Sequence, residues 1–479
     1  MSELSAELGG SSAPAAPGRR AALIRVGGFT AACLLVSNMV GTGIFGTTGF
    51  MASDLGSPLW ILLLWAAGAV YALMGALCYG ELGAALPRSG GEYVYIREAY
   101  GPLGAFLSGW TSLTIGFSAA IASAAHLFAN HVRELVLPAL PQDAASTGLT
   151  GLLLDPKVLA LAVVWALTAV HVTSVRAGGF VQRWLTIVKV GALVTLALLG
   201  LALGAGDWSH LTAPDLQRSF GPGTLLVTFM FVTFSYSGWN AVGYIAGELA
   251  EPAKNLPRAM IWGTLSVGAL YLLLNLVYFY ALPVSQLAAD PIALVGHKTA
   301  SALFGPGSGR WFTLLLTISI LGAVSAMVWA WPQVYHVMAR DGVFPYLFAA
   351  SSERSGIPAR SMVLQSLWIS VLVLSGTFQA LVLYATFVLI LFAGIAVSSV
   401  IVLRHKRPDL PRPYRAWGYP VTPVLYLLLS LAILWSALRL RPTESLLGVA
   451  TVAAGLPLYY VWKLQAQRKA ARAAARTPG

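Results

Sequence analysis

The chain has 479 residues, of which 57% are hydrophobic and only 10% charged, with a mean hydropathy of +0.74. Soluble globular proteins do not reach that composition, so the chain belongs in a bilayer. The formal net charge of +12 does not indicate nucleic-acid binding, because the basic residues fall in the short segments between apolar runs, on one side of the expected membrane.

In chain order, residues 1–24 are polar and rich in Ala, Ser, Gly and Pro. They lack the basic, apolar and small-residue sequence of a cleaved secretory signal and read as a disordered cytoplasmic tail. Apolar runs then recur at about 27–52, 58–82, 101–129, 157–174, 180–203, 221–247, 259–283, 310–338, 361–377, 379–403, 420–438 and 443–462. A helix needs about 20 residues to cross roughly 30 Å of hydrocarbon. The pattern therefore predicts an all-α membrane protein with twelve transmembrane helices in one domain, residues 25–463, and a basic cytoplasmic tail over 464–479.

Twenty-two of the 30 Lys and Arg residues fall on the side that holds both termini, seven fall on the other side, and Lys189 falls within a span. The positive-inside rule then places both termini in the cytoplasm of a multi-pass protein of the cell membrane.

Two spans differ from the rest. The first carries SNMVGTGIFGTTG at 37–49 and the sixth carries FSYSGWNAVG at 234–243. Both place Gly and small hydroxyl residues near mid-depth. Such residues also allow close helix packing, but here each opens a block of five spans, and the two blocks have opposite orientation. Repeats over about 27–203 and 221–403, related by inversion, would bring the interruptions face to face, with the helices of about 420–462 as additions. Interrupted spans at matching positions of two halves are the best sequence pointer to a transporter site.

An intact helix in lipid satisfies its own backbone and offers only side chains. Breaking span 1 would free the amides of Gly41, Thr42, Gly43 and Ile44 at the positive end of a half-helix, an arrangement suited to a carboxylate. Carbonyls freed near Phe234, Ser235 and Ser237 would suit an ammonium, and together the two describe an α-amino acid. Met39, Ile44, Phe234 and Trp239 suggest an apolar pocket with Asn240 as a polar selector. No acidic residue lies in the middle of a span, which points to a neutral substrate. Lys189 is the one ion within a span, compatible either with snorkelling to the interface or with a place beside the breaks, where an intramembrane ion is functional by default.

Cys33 and Cys78 both lie in spans, so neither offers an exterior disulfide. His126, His131, His171 and His336 lie at span ends without partners at metal spacing. The residues thus call for no cofactor, no metal and no enzymatic chemistry.

The motifs GTGIF at 41–45, FSYSGWN at 234–240, GELAEPAKNLPRAM at 247–260, ARDGVFP at 339–345 and RPYRAWGYPVTP at 412–423 resemble the amino acid, polyamine and organocation (APC) transporter superfamily, in particular bacterial relatives of the L-type amino acid transporters. The resemblance runs from about residue 25 to 462. It implies a five-plus-five inverted repeat with broken helices 1 and 6, two additional helices, and alternating access. It places Thr42, Gly43 and Ile44 at the substrate carboxylate, and Met39, Phe234, Ser235 and Ser237 at its ammonium. Phe234 would serve as a gate, Asn240 would lie near the side chain, and Lys189 would replace a sodium ion.

Two departures matter. Animal members join a heavy subunit through a cysteine after span 3, and residues 130–156 contain none, so no such partner is expected. The exit of span 6 reads Ala-Gly-Glu at 246–248, where many relatives carry two adjacent acids. The expected activity is sodium-independent transport of neutral L-amino acids, by exchange or with protons. A sensor or scaffold of the same fold that does not move substrate is the alternative.

Overall fold

The computed structural model describes residues 26–139, 148–173, 175–212, 216, 218–289, 295–351, 357–375 and 378–474. Both the expected N-terminal tail and the last five residues lie outside them. The described residues are helical throughout, apart from connecting turns. Ten segments are long and apolar enough to cross a membrane, and two further apolar helices, Pro222–Tyr236 and Ala359–Ser375, are shorter.

The helices that build the site are, in order, α1 (Gly28–Met39), α2 (Thr42–Gly46), α3 (Thr48–Leu55), α4 (Pro58–Ala85), α5 (Glu92–Tyr100), α6 (Pro102–Thr111) and α7 (Phe117–Val136). They continue with α8 (Val175–Leu203), α9 (Pro222–Tyr236), α10 (Ala241–Tyr244), α11 (Pro252–Ala281), α12 (Pro306–Ala330), α13 (Gln333–Arg340), α14 (Phe378–Lys406) and α15 (Val421–Leu440). Proline stands in the first turn of α4, α6, α9, α11 and α12, where its missing amide costs no intrahelical bond and its fixed φ favours the helix.

The two interrupted segments are broken where the glycines stand. Between α1 and α2, Val40 and Gly41 leave the helical region, Gly41 at φ −151°, ψ −141°. Between α9 and α10, Ser237 is extended and Gly238 takes φ +98°, a left-handed conformation that only glycine adopts without strain.

Three features depart from the sequence expectation. A short helix, α5, fills what reads as a polar connection after the second span. The third span does not stop at 129 but runs to Val136, with one π-helical turn at Ser112–Gly116. The final helix, Pro442–Ala474, continues well past 462.

The core gathers around the breaks. Met39, Val40, Ile44, Phe45, Phe234 and Trp239 are all buried. The start of the first broken unit is tied to the exit of the second: the Val26 amide donates to Glu248 O (2.8 Å) and the Ala250 amide donates to Val26 O (3.0 Å). One buried carboxylate, Glu81 at the end of α4, receives Arg404 Nε (2.9 Å), Arg404 Nη2 (2.6 Å) and the Ala416 amide (2.7 Å). That cluster fastens α4 to α14 and to the chain leading into α15. On the same face, Arg97 and the Tyr93 hydroxyl meet Asp341 at the end of α13.

Candidate functional site

The two breaks touch directly. A Cβ placed on Gly43 would lie 2.3 Å from Ser235 Cα, so only glycine lets α2 approach α9 this closely. Thr47 extends the contact, its hydroxyl donating to Gly43 O (2.7 Å) and lying 3.0 Å from Ser235 Oγ. Gly238 packs against Asn38, whose buried side-chain nitrogen and oxygen have no protein partner. Orphaned buried polar atoms are costly, so these two atoms call for a polar partner between the breaks.

One side chain bridges both breaks. The Tyr271 hydroxyl, on α11, lies within hydrogen-bond distance of Met39 O (2.5 Å) and Ser235 O (3.0 Å). Asn275, one turn later, accepts from the Thr48 hydroxyl (2.9 Å). Breaking a helix frees carbonyls that must find partners, and α11 places one hydroxyl proton, that of Tyr271, between a carbonyl of each broken unit.

Lys189 supplies the other partners. Its side chain is buried, and Nζ donates to Ser37 O (2.8 Å) and Val40 O (2.6 Å), with Ser319 O of α12 at 3.5 Å. These carbonyls end the first half-helix, where the macrodipole favours positive charge. The lysine therefore points into the bundle and does not snorkel.

Beside the second break lies a cleft lined by Phe234, Ser237, Gly238, Trp239 and Asn240, closed by Tyr71 of α4, Phe117 of α7, Trp331 and a face of α14 that includes Thr386 and Ala393. Aromatic contacts shape it. Phe117 stacks on Trp331 at 4.4 Å between centroids, and Tyr71 stacks on Tyr426 at 4.2 Å. Trp239 sits edge-on to Tyr79 at 4.7 Å and fills the space over Gly75.

Glu92 also lines this cleft. It is buried at the start of α5, accepting from the Tyr79 hydroxyl (3.1 Å) and Ser112 Oγ (3.3 Å). The π-turn carries Ser112; such turns often mark functional sites. Burial pushes the Glu92 carboxyl up to about 7, only partly offset by these donors. Glu248, at the exit of α10, accepts from Gln333 Nε2 (2.8 Å), and burial pushes it up to about 7 as well.

A family model described as amino acid permease matches residues 26–456. The chain belongs to that family. Over 443 residues the permease is 29% identical to the mouse large neutral amino acids transporter small subunit 2, covering 91% of this chain and 80% of the relative. It is 28% identical to the mouse b(0,+)-type amino acid transporter 1 over 445 residues, covering 91% and 87%. It is likewise 28% identical to the human Asc-type amino acid transporter 1 over 458 residues, covering 94% and 84%. The family and these relatives are transporters, not enzymes, and the APC resemblance stands. Among the described residues no group of three or more His, Cys, Asp or Glu could hold a metal ion.

Of the residues singled out from sequence, the permease places Phe234, Ser237 and Asn240 on the cleft. Met39, Gly41, Gly43, Ile44 and Ser235 are packed where the breaks meet, and Thr42 begins α2. The sequence reading found no buried carboxylate near the site, and Glu92 corrects it: the residue belongs to no span, yet α5 carries it into the bundle. Tyr271 was also missed, because a tyrosine in an apolar run reads as core. Tyr79, 13 residues before Glu92, donates its hydroxyl to it.

Proposed function

We propose that the permease moves neutral L-amino acids across the cell membrane by alternating access, independently of sodium, as an exchanger or a proton-coupled symporter. The carrying observation is the meeting of two broken helices in one buried place, with Lys189 holding the carbonyls of one of them. An ammonium fixed at that point occupies the place a coupling cation would take, so no sodium ion is needed to stabilise the opened backbone.

The substrate carboxylate belongs to the amides of Gly41, Thr42, Gly43 and Ile44, and its ammonium to the carbonyl side near Met39, Phe234, Ser235 and Ser237. Phe234 gates the cleft and Asn240 faces the substrate side chain. Relatives named for large neutral, b(0,+)-type and Asc-type amino acid transport support the substrate class. Glu92 does not argue for a cationic substrate: its carboxylate is already held by two hydroxyls and is readily protonated near neutral pH.

In this reading the chain crosses the membrane twelve times as a five-plus-five inverted repeat with two additional helices. Both termini are cytoplasmic, and no heavy subunit is disulfide-linked. The test is a thermal-shift screen of the purified protein against the twenty amino acids, because a ligand of the folded state stabilises it by RT ln(1 + [L]/Kd). A shift with at least one neutral amino acid, unchanged when potassium replaces sodium, is expected. No shift with any neutral amino acid, or one that requires sodium, would contradict the proposal.

A further inference from the structure

Glu92 is a buried acid. Among the described residues no Lys, Arg or His forms a hydrogen bond or ion pair with it, and its immediate neighbours are hydroxyls. Tyr79 faces it from α4, Ser108 and Ser112 from α6 and the π-turn, Tyr95 from its own helix, Tyr244 from α10 and Tyr335 from α13; Tyr426 of α15 lies beyond them. Buried carboxylates are ordinarily paired, and this one is surrounded by phenols instead.

The cluster reaches the cleft in two ways. Glu92 itself lines the cleft wall with Phe234, Ser237 and Asn240. In addition, Asn240 Nδ2 donates to the Tyr244 hydroxyl (2.8 Å), and Tyr244 interacts with the Glu92 carboxyl. A change at the side-chain end of the substrate site is therefore felt at Glu92 through one intermediate. Two buried hydroxyls of the cluster, Tyr95 OH and Tyr335 OH, have no hydrogen-bond partner among the described residues. The chamber thus has spare donors and acceptors for a change of protonation.

We propose that Glu92 is a proton-binding site whose occupancy is linked to that of the substrate cleft. The step is a simple proton transfer: the carboxylate takes one proton from water when the cleft closes and desolvates it, and returns it when the cleft opens and wets it. No other covalent bond changes. Deepening the transport reading above, this assigns the proton, if one travels with the substrate, to Glu92, which both lines the cleft and accepts from Tyr79 and Ser112.

The test is infrared difference spectroscopy of the full-length protein in nanodiscs, titrated from about pH 5 to about pH 9, well above the ordinary glutamate range. The wild type is expected to show a protonated-carboxyl band that titrates near neutrality. E92Q should lose that component, while E248Q keeps it. Ser112→Ala should move its midpoint upward, because Ser112 donates to the carboxylate, and this variant decides the matter if E92Q does not fold. Adding the amino acid that binds tightest among the twenty should move the wild-type midpoint upward too. An E92Q spectrum identical to wild type, or a midpoint indifferent to Ser112→Ala, would overturn the assignment; a midpoint unmoved by bound amino acid would overturn the linkage. The titration without amino acid reads Glu92 alone, so its failure is distinct from failure of the transport reading.

Discussion

The amine nitrogen of Lys189 lies 2.6 Å from the carbonyl oxygen of Val40, the residue at which the first broken helix stops. A lysine 149 positions along the chain thus completes the backbone of a break. The amine sits where the half-helix is most negative, and the carbonyl gains a donor that lipid could not provide.

Lys189→Ala should therefore do more than remove a charge. It leaves Ser37 O and Val40 O without their donor, at roughly 1–3 kcal/mol for each buried group abandoned. Amino-acid uptake into proteoliposomes is expected to fall by at least about tenfold, equivalent to about 1.4 kcal/mol, with a lowered melting temperature. Undiminished uptake would show that the contact is only structural packing.

Gly43→Ala should disrupt the meeting of the two breaks, because the added carbon falls 2.3 Å from Ser235 Cα, a backbone atom that cannot rotate away. Overpacking of this kind typically costs about 1–3 kcal/mol. Gly191→Ala, with nothing within 4 Å of the new carbon, is the matched control. Melting temperature and uptake should fall in the first variant and hold in the second; equal tolerance of both would contradict the close contact.

Removing one oxygen isolates the role of α11. Tyr271→Phe keeps the ring, which packs against Trp65 and Tyr236, but withdraws the hydroxyl from Met39 O and Ser235 O. A loss of roughly 1–3 kcal/mol of stability is expected from the orphaned carbonyls. It should be read as a lower melting temperature, with uptake reduced in parallel.

The expectation for pH follows from Glu248. Its carboxyl is raised to about 7 by burial, against about 4.3 in an unfolded chain. The folded state therefore favours the protonated form. Its stabilising contribution is full below the unfolded value, declines as pH rises, and is lost once pH passes through about 7. The difference between wild-type and E248Q melting temperatures should consequently slope downward from about pH 4.3 to about pH 7 and flatten above that range. A slope of the opposite sign would mean that the native state holds the carboxylate.

The breaks were legible because glycine and hydroxyl residues at 37–49 and 234–243 are out of place in apolar spans. Lys189 was legible as an anomaly, although only packing decided that its amine turns inward. Glu92 was not. It stands in SGGEYVYIREAYG, a stretch whose polarity is that of a surface loop, and its burial arises from the packing of a nine-residue helix whose Tyr93, Val94, Tyr95 and Ile96 are buried with it. Tyr271 was hidden for the opposite reason, since an apolar period reveals a buried face but not which hydroxyl on it finds a carbonyl. The reach of the third span to Val136 was likewise hidden, because His131, Arg133 and Glu134 give its last turns the polarity of a loop.

The most direct test of the central claim, that the two breaks form a sodium-independent amino-acid site, is counterflow in proteoliposomes. Vesicles loaded with unlabelled neutral amino acid would take up the labelled form, with sodium or potassium as the only cation and with or without a pH gradient. Uptake by wild type at equal rates in sodium and potassium, stimulated by internal substrate or by the pH gradient and lost in Lys189→Ala, is the expected result. Uptake that requires sodium, or that responds to neither internal substrate nor the pH gradient, would contradict the account.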